Sequence, residues 1–448
     1  MRLAHPDGPR GPLHRDHRDA DPGAAGRGAL GKTNMDEFGM GTHSTHTPYG
    51  SVLGGSAVAV GLGHATVALG TDTGGSVRMP AAYTGTVGFK PSYGMLSRWG
   101  VVPYANSLDT VGLLAREVAP IQDIVHAVCM EHDPKDPTSL PATVRERCVS
   151  VRQYYLSSRR TQPPPPDLQS QGLRGLTFGL PIEYNIEELS PRIRDGWLQV
   201  ADKIKEQGGR VVPVSLPSTK SALSAYYVIA PAEAASNLSK YDGIRYGKRA
   251  SASAEDSSDA LNGILYAKTR GEGFGPEVKR RILLGSYTLS AEAVDNYFKQ
   301  AQRVRRLVRR DFDRVFRLSN PLLENEHDDD DDGSNKQQQQ FDLSDMDESV
   351  PLESKLGPAQ VDFLLCPTAP TTPPKLSDIA KQTPFDSYMN DVFTVPASLA
   401  GLPAISIPMA LPKSEEDPVD FGGVQLIGQF WDDARLLAVA GHIRSKQQ

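Results

Sequence analysis

The run GTDTGGSVRMPA at residues 70–81 concentrates what acyl-transfer chemistry needs. Ser76 follows two glycines, Gly74 and Gly75, so the backbone before it can bend sharply and aim several N–H groups into one small volume. A hydroxyl beside such amides is the arrangement of a nucleophile next to an oxyanion hole. An isolated GGS is more often a plain glycine-rich turn, so the functional reading needs support from the rest of the chain. Two competing motifs fail. The serine-protease pattern GDSGGP would put the nucleophile where Thr73 stands, with no histidine motif to serve it. A phosphate-cradling loop needs GxxxxGK[ST], which does not occur, so no ATP site of the chain's own is legible. His43 and His46 are spaced HxxH without a third ligand and read as loop residues, with no metal.

The elements around this run must bring backbones close together. From Gly31 to about Val118 the chain is dense in Gly, Ser, Thr and small apolar residues, in short runs punctuated by glycine: AVAVGLGHATVALG, TGTVGFKPSYG and GVVPYANSLDTVG. Further on, LTFGLP (176–181) reads as a strand. Ile193, Trp197, Val200 and Ile204 recur at helical spacing, and RVVPVSLP reads as the next strand, together a parallel βαβ unit. A long basic helical stretch lies within residues 274–317, and VDFLLCPTAP (361–370) is strand-like. The segment from TVPASLAGLPAISIPM to GVQLIGQFWDDARLLAVAGHI reads as turn, strand, strand, helix.

Composition narrows the class. The chain has 448 residues, with 39% hydrophobic and 23% charged, the balance of a globular protein with a sizeable core. Its 48 Lys+Arg against 54 Asp+Glu give a net charge of −6, which argues against gripping nucleic acid over the whole surface. No apolar run approaches the ~20 residues of a membrane span. Cys129, Cys148 and Cys366 are too widely spaced for a CxxC metal site and odd in number, which favours a reducing compartment.

Longer matches carry the reading further. GKTNMDEFGMG (31–41), GGSAVAV (54–60), ALGTDTGGSVRMPAAYTGTVGFKPSYG (68–94) and SRWGVVPYANSLDTVG (97–112) resemble the amidase signature family, and within it the A-type subunits of tRNA-dependent amidotransferases. So do EAASNLSKYDGIRYG (233–247), EGFGPEVKRRILLGSYTLS (272–290), CPTAPTTP (366–373) and AGLPAISIP (400–408). The resemblance implies an α/β fold with a central mixed twisted sheet flanked by helices on both faces. It also implies a glutaminase half-reaction through a Ser–Ser–Lys triad. Ser76 then matches the nucleophile that forms an acyl ester, and Thr73, Gly74 and Gly75 match the oxyanion loop. Arg281 and Asp391 match the positions that bind the carboxylate and amino group of glutamine, and Tyr226 matches an aromatic of the same pocket. Taken alone, Arg281 in KRR would read as a solvated cation and Asp391 as a helix cap. The resemblance further implies B and C partner subunits, with ATP and Mg used by the B partner, which also carries most of the contact with Glu-tRNA(Gln). It implies no cofactor in this chain and a place in the mitochondrial matrix.

Two departures matter. The register of the family's bridging serine falls on Val52, with Ser51 adjacent but out of phase, and Val52 cannot relay a proton. The family's lysine segment, which lies upstream of GKTNMDEFGMG, has no counterpart among the first 31 residues, and Lys32 belongs to a different motif. Loss of triad members costs on the order of 10⁴–10⁶ in rate. The chain as written is therefore expected to be poorly active and to lack an N-terminal segment. A catalytically impaired scaffold and a stand-alone amidase of the same family are the alternatives. The expected organisation is a disordered or misassigned start over 1–30 without a clear targeting peptide, an amidase signature domain over 31–440, inserted low-complexity loops at 147–171 and 320–358, and a tail at 441–448. The apolar runs 57–69 and 84–89 are the stretches expected to be left uncovered.

Overall fold

The computed structural model describes residues 30–41, 43–44, 54–128, 131–158, 172–250, 266–323, 360–379, 381, 383–415 and 417–446. Eight strands form a single sheet. They are β1 (Val67–Asp72), β2 (Val87–Lys90), β3 (Thr110–Ala115), β4 (Thr177–Pro181), β5 (Arg210–Val214), β6 (Phe363–Pro367), β7 (Ala404–Ala410) and β8 (Phe421–Ile427). Their spatial order is β1-β3-β2-β7-β8-β6-β4-β5. The pairs from β1 through to β6 are antiparallel, whereas β6–β4 and β4–β5 are parallel, so the sheet is mixed.

The helices flanking it include α1 (Gly55–Gly61), α2 (Arg78–Thr84), α3 (Ala119–Val128), α4 (Ala142–Ser158) and α5 (Pro191–Glu206). The βαβ unit forms as its pattern predicts: β4 and β5 are parallel in the register Phe178↔Val211, and α5 buries Ile193, Trp197, Val200 and Ile204. Pro213 sits in β5, an edge strand, where its missing N–H costs no ladder bond to a second neighbour. Central strands β6, β7 and β8 are almost wholly buried, including two polar residues that find partners there, Ser406 with the Thr368 hydroxyl and Gln425 with Arg78.

A helical layer carries the rest of the site. Helix α6 (Ala222–Leu238) packs against α7 (Pro276–Thr288) and α8 (Phe298–Val315). Short helices α9 (Pro384–Met389) and α10 (Val395–Ala400) lead into β7, and α11 (Asp433–Ser445) closes the described chain. The basic stretch anticipated within 274–317 is thus two helices, α7 and α8, separated by a turn region at 289–297. TVPASLA, read as a turn, is helical in α10, where Pro396 occupies the first turn and needs no intrahelical N–H partner.

Other boundaries also move. Helix α4 runs to Ser158, so the loop expected from 147 begins after it, and 159–171 lie outside the described residues. Of the loop at 320–358, residues 324–358 lie outside them as well. The expected tail at 441–448 belongs through Ser445 to α11, which buries Leu436, Leu437, Val439, Ala440 and Ile443. Of the two runs expected to be uncovered, 84–89 is not: β2 lies between β3 and β7, and Val87 and Phe89 have no exposed surface. The run 57–69 fits better. Strand β1 is a sheet edge, with Leu62 and Leu69 exposed, although Ala57 and Val60 are buried.

Candidate active site

Ser76 stands in the turn between β1 and α2 and is exposed, while Asp72, Thr73, Gly74, Gly75, Val77 and Arg78 around it are buried. Gly75 has φ +155°, and a Cβ there would lie 2.3 Å from the Thr394 Oγ1 atom. A Cβ on Gly74 would lie 2.7 Å from the Tyr226 ring. Both positions therefore demand glycine, one for conformation and contact, the other for contact alone. Among the described residues the amides of Gly74, Gly75 and Ser76 donate to no protein acceptor, whereas those of Val77 and Arg78 donate to Asp72 Oδ2 at 3.2 and 3.3 Å. Two of these unspent amides, those of Gly74 and Gly75, belong to the expected oxyanion loop Thr73–Gly75, and the third is that of Ser76 itself.

The turn is fixed from below by Arg78, which has no exposed surface. Its guanidinium forks onto Asp72, with Nε to Oδ2 at 3.0 Å and Nη2 to Oδ1 at 2.8 Å. It also donates to Thr394 O, Gln425 Oε1 and Ser398 Oγ, linking α2 to α10 and β8. Burial alone would raise the Asp72 pKa, but the Arg78 guanidinium holds it below the usual carboxylate range.

Ser76 opens onto a pocket of about 80 Å³, walled by Thr33, Asn34, Asp36, Ser44, Gly54, Ser56, Thr73 and Met79 among others. Ser56 and Thr33 share a hydroxyl bond of 2.8 Å in that wall. No lysine lines it among the described residues. Val52 and Ser51 lie outside them, as does His46. His43 stacks on Tyr83 with ring centroids 6.4 Å apart, and no cluster of metal-binding side chains occurs among the described residues.

Arg281, Asp391 and Tyr226 do not wall this pocket; they converge on the turn from the helical layer. Arg281 is buried on α7, contrary to the solvated face that its KRR context suggests, because α7 turns it toward α6. Its Nε donates to Glu277 Oε1 at 2.8 Å and its Nη1 to the Tyr104 hydroxyl at 2.7 Å. Three tyrosine rings, Tyr104, Tyr227 and Tyr388, stand 5.7–5.8 Å from the guanidinium carbon. Burial works against the charge of Arg281, but Tyr104, Tyr227 and Glu277 outweigh it and raise its pKa. Asp391 follows α9 and accepts from the Tyr227 hydroxyl at 2.9 Å. Burial lifts its pKa to about 6, against the pull of Tyr227 and Arg281.

Arg281, Asp391 and the Ser76 turn are joined in one ring of hydrogen bonds and an aromatic stack. Asp109 Oδ1 accepts from Thr73 Oγ1 at 2.6 Å, while its Oδ2 accepts from the Tyr104 amide at 2.7 Å. Tyr104 holds Arg281, and Glu277 accepts from the Tyr388 hydroxyl at 3.2 Å. Tyr388 stacks on Tyr227 at 4.0 Å, and Tyr227 holds Asp391. Thr394 closes the ring, donating to Gly74 O at 2.6 Å with Asp391 O at 3.1 Å. Tyr226 leans on Gly74 and meets Tyr227 edge to face at 5.0 Å. Sequence reasoning singles out Tyr226 but misses Tyr227, Tyr104, Tyr388, Glu277 and Thr394. Only the i, i+4 spacing of Glu277 and Arg281 offers a signal.

The mixed sheet with flanking helices is also the fold of similar proteins. The family model described as Amidase matches residues 23–323 and 331–437. The A-subunit of the mitochondrial glutamyl-tRNA(Gln) amidotransferase of Podospora anserina is 58% identical over 92% of this chain and 80% of its own length. Its counterpart in Neurospora crassa is 56% identical over the same shares. The crystal structure of the glutamyl-tRNA(Gln) amidotransferase A-subunit from Thermotoga maritima matches with a TM-score of 0.60 and 28% identity, over 92% of this chain and 72% of that one. An allophanate hydrolase of Kluyveromyces lactis, at 22% identity and TM-score 0.62 over 94% of this chain and 55% of that one, shares the fold. With a family model spanning most of its length and relatives sharing more than half of its residues, this chain belongs to the amidase family.

Proposed function

We propose that this chain is the glutaminase subunit of a tRNA-dependent amidotransferase that converts Glu-tRNA(Gln) to Gln-tRNA(Gln). The observation that carries the reading is the ring of hydrogen bonds, completed by the Tyr388–Tyr227 stack, that joins the Ser76 turn to a buried arginine and a buried aspartate. A guanidinium suits a carboxylate and a carboxylate suits an ammonium, so Arg281 and Asp391 together suit the α-groups of an amino acid. A stand-alone amidase acting on apolar amides would have no use for the pair.

In the proposed reaction Ser76 Oγ attacks the side-chain carboxamide carbon of glutamine. The oxyanion is held by the amides of Gly74, Gly75 and Ser76. The C–N bond breaks, the hydroxyl proton leaves with the nitrogen, and ammonia and a glutamyl ester on Ser76 result. Water then cleaves the ester to glutamate, restoring the serine. The proton relay belongs in this reading to a lysine and a bridging serine, and Val52 stands at the register of the latter. That residue favours one second reading, a scaffold that binds glutamine and assembles but turns over slowly. No cofactor is assigned to this chain. ATP and Mg belong with a B-type partner that activates the tRNA-bound glutamate and accepts the ammonia, and a C-type partner joins the two. The setting proposed is the mitochondrial matrix, supported by the mitochondrial naming of the relatives.

The test uses this chain carrying Val52→Ser and the relay-lysine segment of the Podospora anserina relative, assembled with its B and C partners. Ser76→Ala should abolish glutamine-dependent ammonia release and spare amidation driven by added ammonia, which bypasses the ester. Glutamine turnover remaining within tenfold would refute the nucleophile. Relative-like turnover by the unaltered chain would sink the scaffold reading.

A further inference from the structure

Resting on the glutamine reading, we infer that Glu277 is a positioning residue that sets which edge of Arg281 faces the substrate carboxylate. Both side chains are nearly fully buried, one helical turn apart on α7. A guanidinium offers three nitrogens, and an arginine with all of them free can turn about its flexible stem. Here Glu277 Oε1 takes Nε and the Tyr104 hydroxyl takes Nη1, which leaves Nη2 as the nitrogen without a protein acceptor among the described residues. Burial opposes the charge of Glu277, but Arg281 beside it keeps its pKa below the usual value, so it acts as an acceptor. Its other oxygen, Oε2, is held by Arg280 at the helix surface, which stops the carboxylate from rotating away.

Glu277 also reaches the second recognition group. The oxygen that holds Arg281 Nε accepts the Tyr388 hydroxyl, and the Tyr388 ring stacks on Tyr227, the donor to Asp391. One carboxylate thus fixes the arginine directly and the partner of the aspartate through a ring stack. Glu277 touches no substrate in this arrangement; it acts through Arg281 and Tyr388.

The experiment is calorimetric titration of the full chain with glutamine and, separately, with glutaminamide, which keeps the ammonium and the side-chain amide but lacks the carboxylate. Glu277→Ala should weaken glutamine about thirtyfold, roughly 2 kcal/mol, and leave glutaminamide within threefold. Glu277→Gln, which retains an acceptor for Nε, should recover most of the glutamine affinity. Glu277→Ala added to Arg281→Ala should cost no more than about threefold further, the share that runs through Tyr388, because the rest acts through the arginine. Equal losses for both ligands, or additive losses in the double variant, would overturn the positioning role. Unchanged glutamine binding in Glu277→Ala would overturn it too, while leaving the glutamine reading intact. A wild-type chain that binds neither ligand would overturn that reading and this inference with it.

Discussion

Arg78→Met tests whether the nucleophile turn is held by its buried ion pair. The substitution removes a side chain with no exposed surface and leaves Asp72, equally buried, without its bidentate partner. Breaking a buried pair by deleting one member costs about 3–5 kcal/mol, because the remaining charge has lost its compensation. Thr394 O, Gln425 Oε1 and Ser398 Oγ also lose a donor. An unfolding entropy of about 2.1 cal/mol/K per residue gives this 448-residue chain roughly 0.9 kcal/mol/K. The expected fall in thermal midpoint is then about 3–5 °C by scanning calorimetry. The double variant Asp72→Asn/Arg78→Met removes the stranded charge and should recover part of that loss. Glutamine binding should fall in the single variant, because Thr394 links the ion pair to Gly74. A single variant within 1 °C of wild type, or a double variant less stable than the single, would refute the reasoning.

If Asp391 holds the ammonium of glutamine as proposed, its protonation should give binding a pH dependence. Because its pKa is raised to about 6, the carboxylate is fully charged well above that pH, and affinity should fall about tenfold per unit below it. Asp391→Asn should bind weakly with a flat profile between pH 5 and 7 by titration calorimetry. Lys90 acts on stability instead. Burial, with Arg78 adding to it, lowers its pKa to about 7 against the opposing pull of Asp72 and Asp433. The unfolded chain therefore binds more protons than the native one between about pH 7 and 10, and stability from this group rises with pH there. Relative to Lys90→Met, the wild type should gain thermal midpoint from pH 7 to 10; a constant difference would refute this. Gly75→Ala, with its Cβ 2.3 Å from Thr394 Oγ1, should cost about 1–3 kcal/mol and weaken glutamine at least tenfold. Unchanged melting and binding would show that the turn can yield.

What is legible in the sequence is what local pattern determines. The βαβ unit follows from the spacing of Ile193, Trp197, Val200 and Ile204 between two apolar runs, and the structure forms it in that order. The Ser76 turn follows from two glycines whose necessity is visible only in three dimensions, against Tyr226 and Thr394. Long-range pairing is not legible. Nothing in KRR distinguishes Arg280, half-exposed, from Arg281, buried, because the difference is set by which face of α7 meets α6. The tyrosines that hold Arg281 come from positions 104, 227 and 388, so no window of the sequence contains them together. Helix α10 reads as a turn because VPASLA mixes a proline with small residues, and its burial against both α6 and α8 is not visible in that window.

The layout has a consequence for how function can be lost. On the proposed reading, recognition would rest on α6, α7 and the segment from α9 to α10, tied to the turn through Asp109 and Thr394. The pocket in front of Ser76 is walled instead largely by residues 33–57, on the other branch of the turn. Among the described residues, the side chains of Arg78, Asp72, Arg281 and Asp391 take their hydrogen bonds from elsewhere, although α7 is tied to that branch by the Gly275 amide, which donates to Glu37 Oε2 at 2.8 Å. On the proposed reading, a change among the described wall residues that leaves Glu37 in place therefore acts on the surroundings of Ser76 without breaking the hydrogen bonds that hold Arg281 and Asp391. On that reading, binding and turnover draw on different hydrogen bonds. An A-type subunit altered only in that wall would then keep its glutamine specificity after its catalytic rate had fallen.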